Sequence, residues 1–251
     1  WDSPVRALCF RKTIPGAVTP VYVINLDRST RRLARISAAL HAAGLPFERV
    51  PAIDASELEP AIAERVYDTQ ANRRKYLAPL SAQEVACFLS HRRAWQTFLT
   101  TRDDPFAVFL EDDATPLFGS LNPRLPAMAD SGRAQIIKLY HPPSALGCSR
   151  RPLVPPLGAV AQAMNRAAAE ALLEFTARFH EPVDVALQRW WDHGVRVTVA
   201  CPPCFGEVAG TSTIRSRRQR PHEGRLLREI RRPLFQLRQM FQALIALGRY
   251  P

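Results

Sequence analysis

The chain has 251 residues, 47% of them hydrophobic, so it can bury one large core, with or without an appendage. This composition excludes a disordered protein. The formal net charge is +11, yet residues 215–251 hold ten Arg and two Glu, a balance of +8. We therefore predict a globular domain over residues 1–214 and a basic tail over residues 215–251.

The sequence shows no uninterrupted apolar run long enough to span a bilayer and no secretory signal pattern at its start. We expect a soluble, intracellular protein. Five irregularly spaced cysteines argue against a disulfide framework and favour reduced thiols. The pair Cys201-Pro-Pro-Cys204 favours a proline-stiffened loop after a strand over metal or redox use, because no second ligand pair follows and Phe-Gly comes next.

Taken in chain order, the first elements predict a βαβ unit. Residues 21–24 are β-prone, a polar loop and an Ala-, Leu- and Arg-rich helix run to Gly44, and residues 47–53 form the returning strand. Ser81 and Glu84 match a capping box, which predicts a helix from there to about Thr101.

The later elements continue the same alternation. We predict buried strands over residues 106–110 and 136–139, and a strand over residues 195–200. Helices are expected over residues 166–179 and 183–192, the second ended by Gly194. The pattern predicts an α/β fold with a mostly parallel central sheet flanked by helices, followed by a basic helical tail.

Three acids, Glu111, Asp112 and Asp113, directly follow the strand at residues 106–110. Ligands of open α/β sheets collect at the carboxyl ends of strands, and adjacent half-buried carboxylates need positive charge nearby. Mg²⁺ or Mn²⁺ would supply it. The alternative is that Asp112 and Asp113 cap the next turn or pair with Arg.

Three separated blocks carry a resemblance to a known family. They are VYVINLDRSTRR with PAIDA, then LSAQEVACFLSHRRAW, then FAVFLEDDA, and a weaker fourth block is PVDVALQRWWDHG. Their order and spacing resemble glycosyltransferase family 25, the lipooligosaccharide sugar transferases, over roughly residues 20–214.

The resemblance implies a GT-A type fold, inversion at the anomeric carbon and a UDP-sugar donor, usually UDP-galactose. It also implies a glycan or glycolipid acceptor and Mn²⁺ or Mg²⁺ held by Asp112 and Asp113 against the donor diphosphate. Glu111 would be a third ligand or would orient a ribose or sugar hydroxyl. Departures from the family pattern at Ala55, Gln83 and Gln162 concern the sugar and acceptor more than the reaction class.

Donor recognition is predicted for four residues near the first two strands. Asn25, Arg28 and Arg32 follow the family pattern, where a guanidinium suits phosphate and an amide suits a uracil or ribose edge; the alternative is a loop of solvated Arg. Asp54 ends the next strand and either accepts from ribose or forms an Asx turn.

Four further residues, later in the chain than Asp54, are candidates. His91 shares a helical stripe with two aromatic residues, which favours a buried structural His and leaves it a second-rank site residue near the donor. Lys138 either touches a phosphate or is solvated. For the catalytic base we expect Asp184, whose alternative role is helix capping, and then Glu207.

In the tail, Leu234, Leu237, Phe241 and Leu244 recur at helical spacing among arginines. This pattern favours contact with an anionic membrane surface, at the inner face of the inner membrane, over packing on the domain or binding a partner. No nucleic acid is expected, since stacking aromatics are few. The alternative to an enzyme is a non-catalytic binding module that the tail recruits to membrane.

Overall fold

The computed structural model describes residues 19–117, 135–142, 151–208 and 225–248. Strands and helices alternate along much of these ranges. In chain order they are β1 (Val21–Asn25), α1 (Thr30–Ala42), β2 (Glu48–Pro51), α2 (Pro60–Val66), α3 (Thr69–Lys75), α4 (Ala82–Thr101), β3 (Phe106–Glu111), β4 (Ala114–Pro116), β5 (Gln135–Lys138), β6 (Ala161–Asn165), α5 (Arg166–Phe175), α6 (Val183–Gln188), α7 (Trp190–His193), β7 (Arg196–Val199), β8 (Phe205–Glu207) and α8 (Arg225–Leu247).

A six-stranded sheet forms the centre, in the order β2-β1-β3-β6-β5-β7. Strand β1 pairs in parallel with β2 and with β3, and β5 pairs in parallel with β7. Strand β6 is antiparallel to both of its neighbours, so it alone runs against the other five strands of this sheet. The predicted mixed α/β fold with a mostly parallel sheet is confirmed, and β4 and β8 add a small antiparallel pair.

Alternating side chains of β1 place apolar groups on both faces of the sheet, which is why helices cover both. Tyr22 belongs to the core cluster that contains Trp95 of α4. Val23 belongs to the second cluster, which contains Leu40 of α1. The predicted βαβ unit and the sandwich of helix, sheet and helix are thus present.

The predicted capping box at the start of α4 is confirmed. The Ser81 hydroxyl accepts from the Glu84 backbone N–H at 3.2 Å, and the Glu84 carboxylate accepts from the Ser81 N–H at 2.8 Å. Because this start fixes the register of α4, residues 87 and 91 share the helix face that meets the end of β3.

Two predicted helices differ from the structure. The helix predicted for residues 166–179 ends at Phe175. The helix predicted for residues 183–192 is two short helices that break at Arg189, whose guanidinium bonds to Glu181 at 2.7 Å and Asp192 at 2.6 Å. The predicted stop at Gly194 is confirmed by its left-handed φ of +70°.

The cysteine prediction is wrong at one position. Cys201 is disulfide-bonded, whereas Cys87 and Cys204 are thiols. The two cysteines of the Cys-Pro-Pro-Cys sequence are therefore not bonded to each other, and they lie in a loop after β7. This loop was the favoured sequence interpretation.

Helix α8 begins at Arg225, upstream of the Pro233 where the amphipathic pattern starts. The first part of the predicted tail, residues 215–224, lies outside the described residues. One face of α8 packs on the domain, where Phe235 meets Tyr76 edge-on at 5.7 Å between ring centroids. Among the described helices, none combines the length and the apolar content that a bilayer crossing requires.

Candidate functional site

The carboxyl ends of β1 and β3 open into a cleft. Because these two parallel strands are direct neighbours, the residues that end them meet at one edge of the sheet. The cleft is also bordered by the loop after β2 and by the first turns of α4. Its lining includes Arg28, Arg32, Cys87, His91, Glu111, Asp112 and Asp113.

Asp112 and Asp113 are buried, and an arginine lies between them. Arg32 of α1 forms ion pairs with Asp112 and, at 2.9 Å, with Asp113. Asn25 donates its side-chain amide to the other Asp112 oxygen at 2.7 Å. The predicted alternative, pairing with Arg, is therefore present, and both Asp112 oxygens are engaged by the protein.

The two carboxylate oxygens of Asp113 differ in their contacts. Its Oδ1 atom is buried and has no hydrogen-bond partner among the described residues. Burial, reinforced by the charge of Glu111, raises the pKa of Asp113 to about 7. A buried carboxylate oxygen without a donor fits a hard divalent cation, so the residues present are compatible with the predicted metal.

Two arginines that the sequence did not single out support this acidic pair. Arg49 of β2 donates to the Asn25 side-chain oxygen at 3.1 Å, which fixes the amide so that its N–H₂ group faces Asp112. Arg35 of α1 donates to the Asp112 backbone carbonyl at 3.3 Å. The sequence offered one indication that Arg49 has an internal partner, namely that a charged residue occurs inside a short, half-buried strand.

The predicted nucleotide ligands thus differ in what they offer. The side-chain amide of Asn25 is hydrogen-bonded to Asp112 and Arg49. The guanidinium group of Arg32 forms ion pairs with Asp112 and Asp113. Arg28 is largely exposed at the mouth of the cleft and forms an ion pair with Asp54. Asp54 also accepts from the Ser56 backbone N–H at 3.0 Å, which is the predicted Asx-turn alternative.

His91 is buried and hydrogen-bonded, as its helical stripe predicted. Its Nε2 atom lies 3.1 Å from Oε1 of Glu111, and its Nδ1 atom lies 3.4 Å from the side-chain nitrogen of Gln162 on β6. Ser90, the preceding residue, accepts from the Ile53 backbone N–H at 2.8 Å and so ties α4 to the loop after β2. His91 therefore holds Glu111 at the cleft.

The structure differs from both predictions for Lys138, which were contact with a phosphate and exposure to solvent. Its side chain is neither solvated nor at the cleft: it is fully buried, and its ammonium group donates to the Pro156 carbonyl. Burial lowers its pKa to about 8, and the negative charge of Asp184 opposes that shift. Lys138 thus acts inside the protein, close enough to interact with Asp184.

The two candidate bases lie outside the cleft lining. Asp184 accepts from the backbone N–H of Gly158 at 3.3 Å and of Val185 at 2.9 Å, and Pro182 is the helix N-cap, so Asp184 does not take the capping position. Glu207 is exposed at the end of β8, opposite Ala114, and accepts from the Tyr140 hydroxyl at 2.8 Å. This pairing brings Glu207 next to the acidic triplet.

A cleft at the carboxyl ends of parallel strands is where open α/β sheets bind their ligands, so the geometry identifies a candidate ligand-binding site in an α/β protein. Residues 18–120 match the family model "Glycosyltransferase family 25 (LPS biosynthesis protein)". The resemblance carried by the three sequence blocks is thereby confirmed over that stretch, which includes β1, α4, β3 and the acidic triplet.

Curated relatives agree with this family. A glycosyltransferase 25 family member of Anopheles gambiae is 30% identical over 103 residues, which cover 39% of this chain and 17% of the relative. The lacto-N-neotetraose biosynthesis glycosyltransferase LgtB of Neisseria gonorrhoeae is 39% identical over 93 residues, covering 37% of this chain and 31% of the relative. The chain thus spans less than a third of the length of these relatives.

One solved structure aligns over 78% of this chain and 95% of its own length, at 11% identity and a TM-score of 0.39. It is a glycosyltransferase involved in the glycosylation of the major capsid of PBCV-1.

Proposed function

We propose that the chain is a metal-dependent, inverting glycosyltransferase of GT-A type. It moves a sugar, with galactose as the candidate, from a UDP-sugar to a lipopolysaccharide, lipooligosaccharide or related surface glycan. One observation carries the proposal: the acidic triplet lies at the joined ends of β1 and β3, inside the stretch that matches glycosyltransferase family 25.

Mn²⁺ or Mg²⁺ would be held by Asp113 and Asp112, and the ion supplies positive charge to the departing diphosphate. The unpartnered Oδ1 atom of Asp113 supports this assignment. Arg32 limits the repulsion between the two carboxylates, and Asn25 orients Asp112. Burial of the pair lowers the local dielectric, so each charge acts more strongly on a bound phosphate than it would in water.

The sugar and the nucleotide would occupy the rest of the cleft. Arg28 is placed at the mouth, where its guanidinium suits a phosphate. Glu111, held by His91, and Asp54 offer carboxylate oxygens to ribose or sugar hydroxyls. Asn25 and Arg32 act through the two acids that they contact.

For the base that takes the acceptor hydroxyl proton we propose Asp184. Its two oxygens accept from two backbone N–H groups, which fix its orientation at the start of α6. Glu207 is the second candidate, favoured by its exposure and by its register beside the acidic triplet. Inversion requires one carboxylate on the acceptor side of the sugar, and each of these residues could supply it.

Helix α8 would bring the enzyme to an anionic membrane that carries the acceptor. Its outer face exposes Leu234, Leu237, Phe241 and Leu244, and exposed arginines border them. Its inner face packs on the domain through Phe235, Ala243 and Ala246. A helix held by one face and apolar on the other is suited to lying in a charged bilayer surface.

A thermal-shift panel of nucleotides with and without Mn²⁺ tests the central proposal. UDP at about 100 times its dissociation constant should add about 2.7 kcal/mol to the free energy of unfolding, and the gain should need the metal. The rival, a non-catalytic module in which Asp112 and Asp113 serve only to bond Asn25 and Arg32, requires no metal-dependent stabilisation by UDP. That result would overturn the proposal.

A further inference from the structure

Three side chains of different chemistry meet at the inner wall of the cleft. Cys87 and His91 lie four residues apart on one face of α4, and Glu111 ends β3. One ligand atom of each residue lies within 4.8 Å of the other two. The set combines a thiol sulfur, an imidazole nitrogen and a carboxylate oxygen, and Cys87 is a thiol in the structure.

This donor set differs from the one proposed for the donor metal. Mn²⁺ and Mg²⁺ prefer oxygen ligands, whereas sulfur and imidazole nitrogen select Zn²⁺ among the common divalent ions. Sites with three protein ligands and one open position are typical of accessible zinc. Here the open position would face the cleft, which all three residues line.

The distances allow such a site with small movements. Tetrahedral zinc with bonds of about 2.0–2.3 Å places ligand atoms roughly 3.3–3.6 Å apart. His91 Nε2 and Glu111 Oε1 are already 3.1 Å apart. Cys87 must approach by at most about an ångström, which a rotation of its side chain can supply.

Gln162 provides an outer partner for the histidine. It is fully buried on β6, its nitrogen lies 3.4 Å from His91 Nδ1, and its oxygen has no partner among the described residues. A half-turn of this amide would present the oxygen to an Nδ1–H group, which leaves Nε2 with its lone pair for a metal. The same rotation would give the Gln162 oxygen a hydrogen-bond donor and would fix the tautomer of His91 that can bind a metal.

We propose that Cys87, His91 and Glu111 form a second metal site, selective for Zn²⁺ or a similar transition metal and separate in chemistry from the Asp112 and Asp113 site. On binding, the Cys87 thiol loses its proton to solvent and its sulfur forms a bond to the ion. The imidazole proton moves from Nε2 to Nδ1, so one proton is released for each ion bound.

Co²⁺ is the probe, because a thiolate bound to tetrahedral Co²⁺ gives a charge-transfer absorption band in the near ultraviolet. The 251-residue chain, stripped of metal, is titrated with Co²⁺ without added thiols. We expect the band to appear and Zn²⁺ to remove it. Cys87→Ser should lose the band, and the matched control Cys204→Ser, which changes the other recorded thiol, should keep it.

Absence of the band in the wild-type protein, or its survival in Cys87→Ser, would overturn the site. If Cys87→Ser fails to fold by circular dichroism, alkylation of the wild-type protein decides. Zn²⁺ should slow the alkylation of Cys87 at least about tenfold and leave Cys204 unchanged, as read from the mass of each peptide. Equal rates at Cys87 with and without Zn²⁺ contradict the proposal.

One consequence rests on the proposed function. Glu111 is a ligand of the proposed zinc site and, in the proposed function, a contact of a ribose or sugar hydroxyl, so Zn²⁺ should inhibit Mn²⁺-supported transfer, and Cys87→Ser should relieve the inhibition. A Co²⁺ band in a protein without transferase activity would keep the zinc site and count against the transferase. Transferase activity in a protein that gives no Co²⁺ band would support the proposed function and overturn the zinc site.

Discussion

The two halves of the six-stranded sheet carry their polar groups differently. In the half formed by β2, β1 and β3, acids and arginines sit at strand ends around an open cleft, and this half lies in the stretch that matches the family. In the half formed by β6, β5 and β7, Lys138 and Gln162 are fully buried. The family match ends at residue 120, before the second half begins. The difference indicates that the family resemblance is confined to the half of the sheet that carries the acids and the cleft.

The largest expected effect tests the first half. Asp113→Asn removes the charge that the proposed metal needs, so transfer from UDP-galactose should fall by on the order of 1,000-fold. Stabilisation by UDP with Mn²⁺ should be lost as well. Asp103→Asn, an exposed acid before β3, is the control and should behave as wild type. Turnover retained in Asp113→Asn would place the catalytic metal elsewhere.

Arg32→Ala tests whether the first half of the sheet needs the positive charge of Arg32 beside Asp112 and Asp113 to remain stable. Removing one partner of a largely buried ion pair leaves two carboxylates uncompensated, which costs about 3 kcal/mol in the free energy of unfolding. Urea unfolding measures this loss. Arg31→Ala, at an exposed neighbouring position of α1, is the matched control. Equal midpoints for the two variants would contradict the role given to Arg32.

Asp184→Asn addresses the second half. We expect transfer to fall by on the order of 100-fold, because a general base is lost, while Mn²⁺-dependent stabilisation by UDP stays as in wild type. This split between turnover and donor binding would assign the acceptor chemistry to the second half. Glu207→Gln is measured in parallel, and the larger loss identifies the base.

Acid should weaken the second half first. Burial lowers the pKa of His193 to about 4, below the value of about 6.5 in an unfolded chain. The folded state therefore binds fewer protons, and its stability falls as the pH drops from about 6.5 toward 4. Hydrogen exchange should show α7 and β7 opening before β1 and β3. His193→Gln should flatten the pH dependence, and an unchanged slope would refute the assignment.

The smallest effect on stability is expected outside the sheet. Phe241→Ser with Leu244→Ser should change the free energy of unfolding by about 0.5 kcal/mol or less per site, because both side chains are exposed. Binding to vesicles that contain anionic lipid should nevertheless fall steeply in a sedimentation assay. The matched control is Gln236→Ser, at another exposed position of α8. Equal vesicle binding by all three proteins would rule out this face as the membrane contact.

Periodicity and capping sufficed to predict β1, α1, β2, α4 and β3, but the short helices α2 and α3 between β2 and α4 were not predicted. Strands β1 and β3 are continuous apolar runs, and Ser81 with Glu84 marks the start of α4. Strand β6 was missed because its sequence, Ala-Gln-Ala-Met-Asn, has low β propensity and is a strand through pairing on both sides. The break at Arg189 was missed because it accompanies ion pairs that the sequence does not show.

The sequence identified several residues that the structure brings together at the cleft, but it did not reveal the contacts among them. The acids and Arg32 were identified, yet Arg32 proved to bridge the acids instead of standing ready for phosphate. Arg49 and Gln162 were not recognised as site residues, because their partners Asn25 and His91 are distant in sequence. Long-range pairing of polar groups leaves no period in the sequence and so escapes pattern analysis.

The reversed direction of β6 has an electrostatic consequence. Helix α1 begins at Thr30, soon after β1 ends at the cleft, so the partial positive charge of its first turn lies on the cleft side. Helix α5 follows β6 without a loop and starts at the opposite edge of the sheet, so its dipole is directed away from any anion in the cleft. A bound pyrophosphate would thus face the N-terminal turn of α1 but not that of α5.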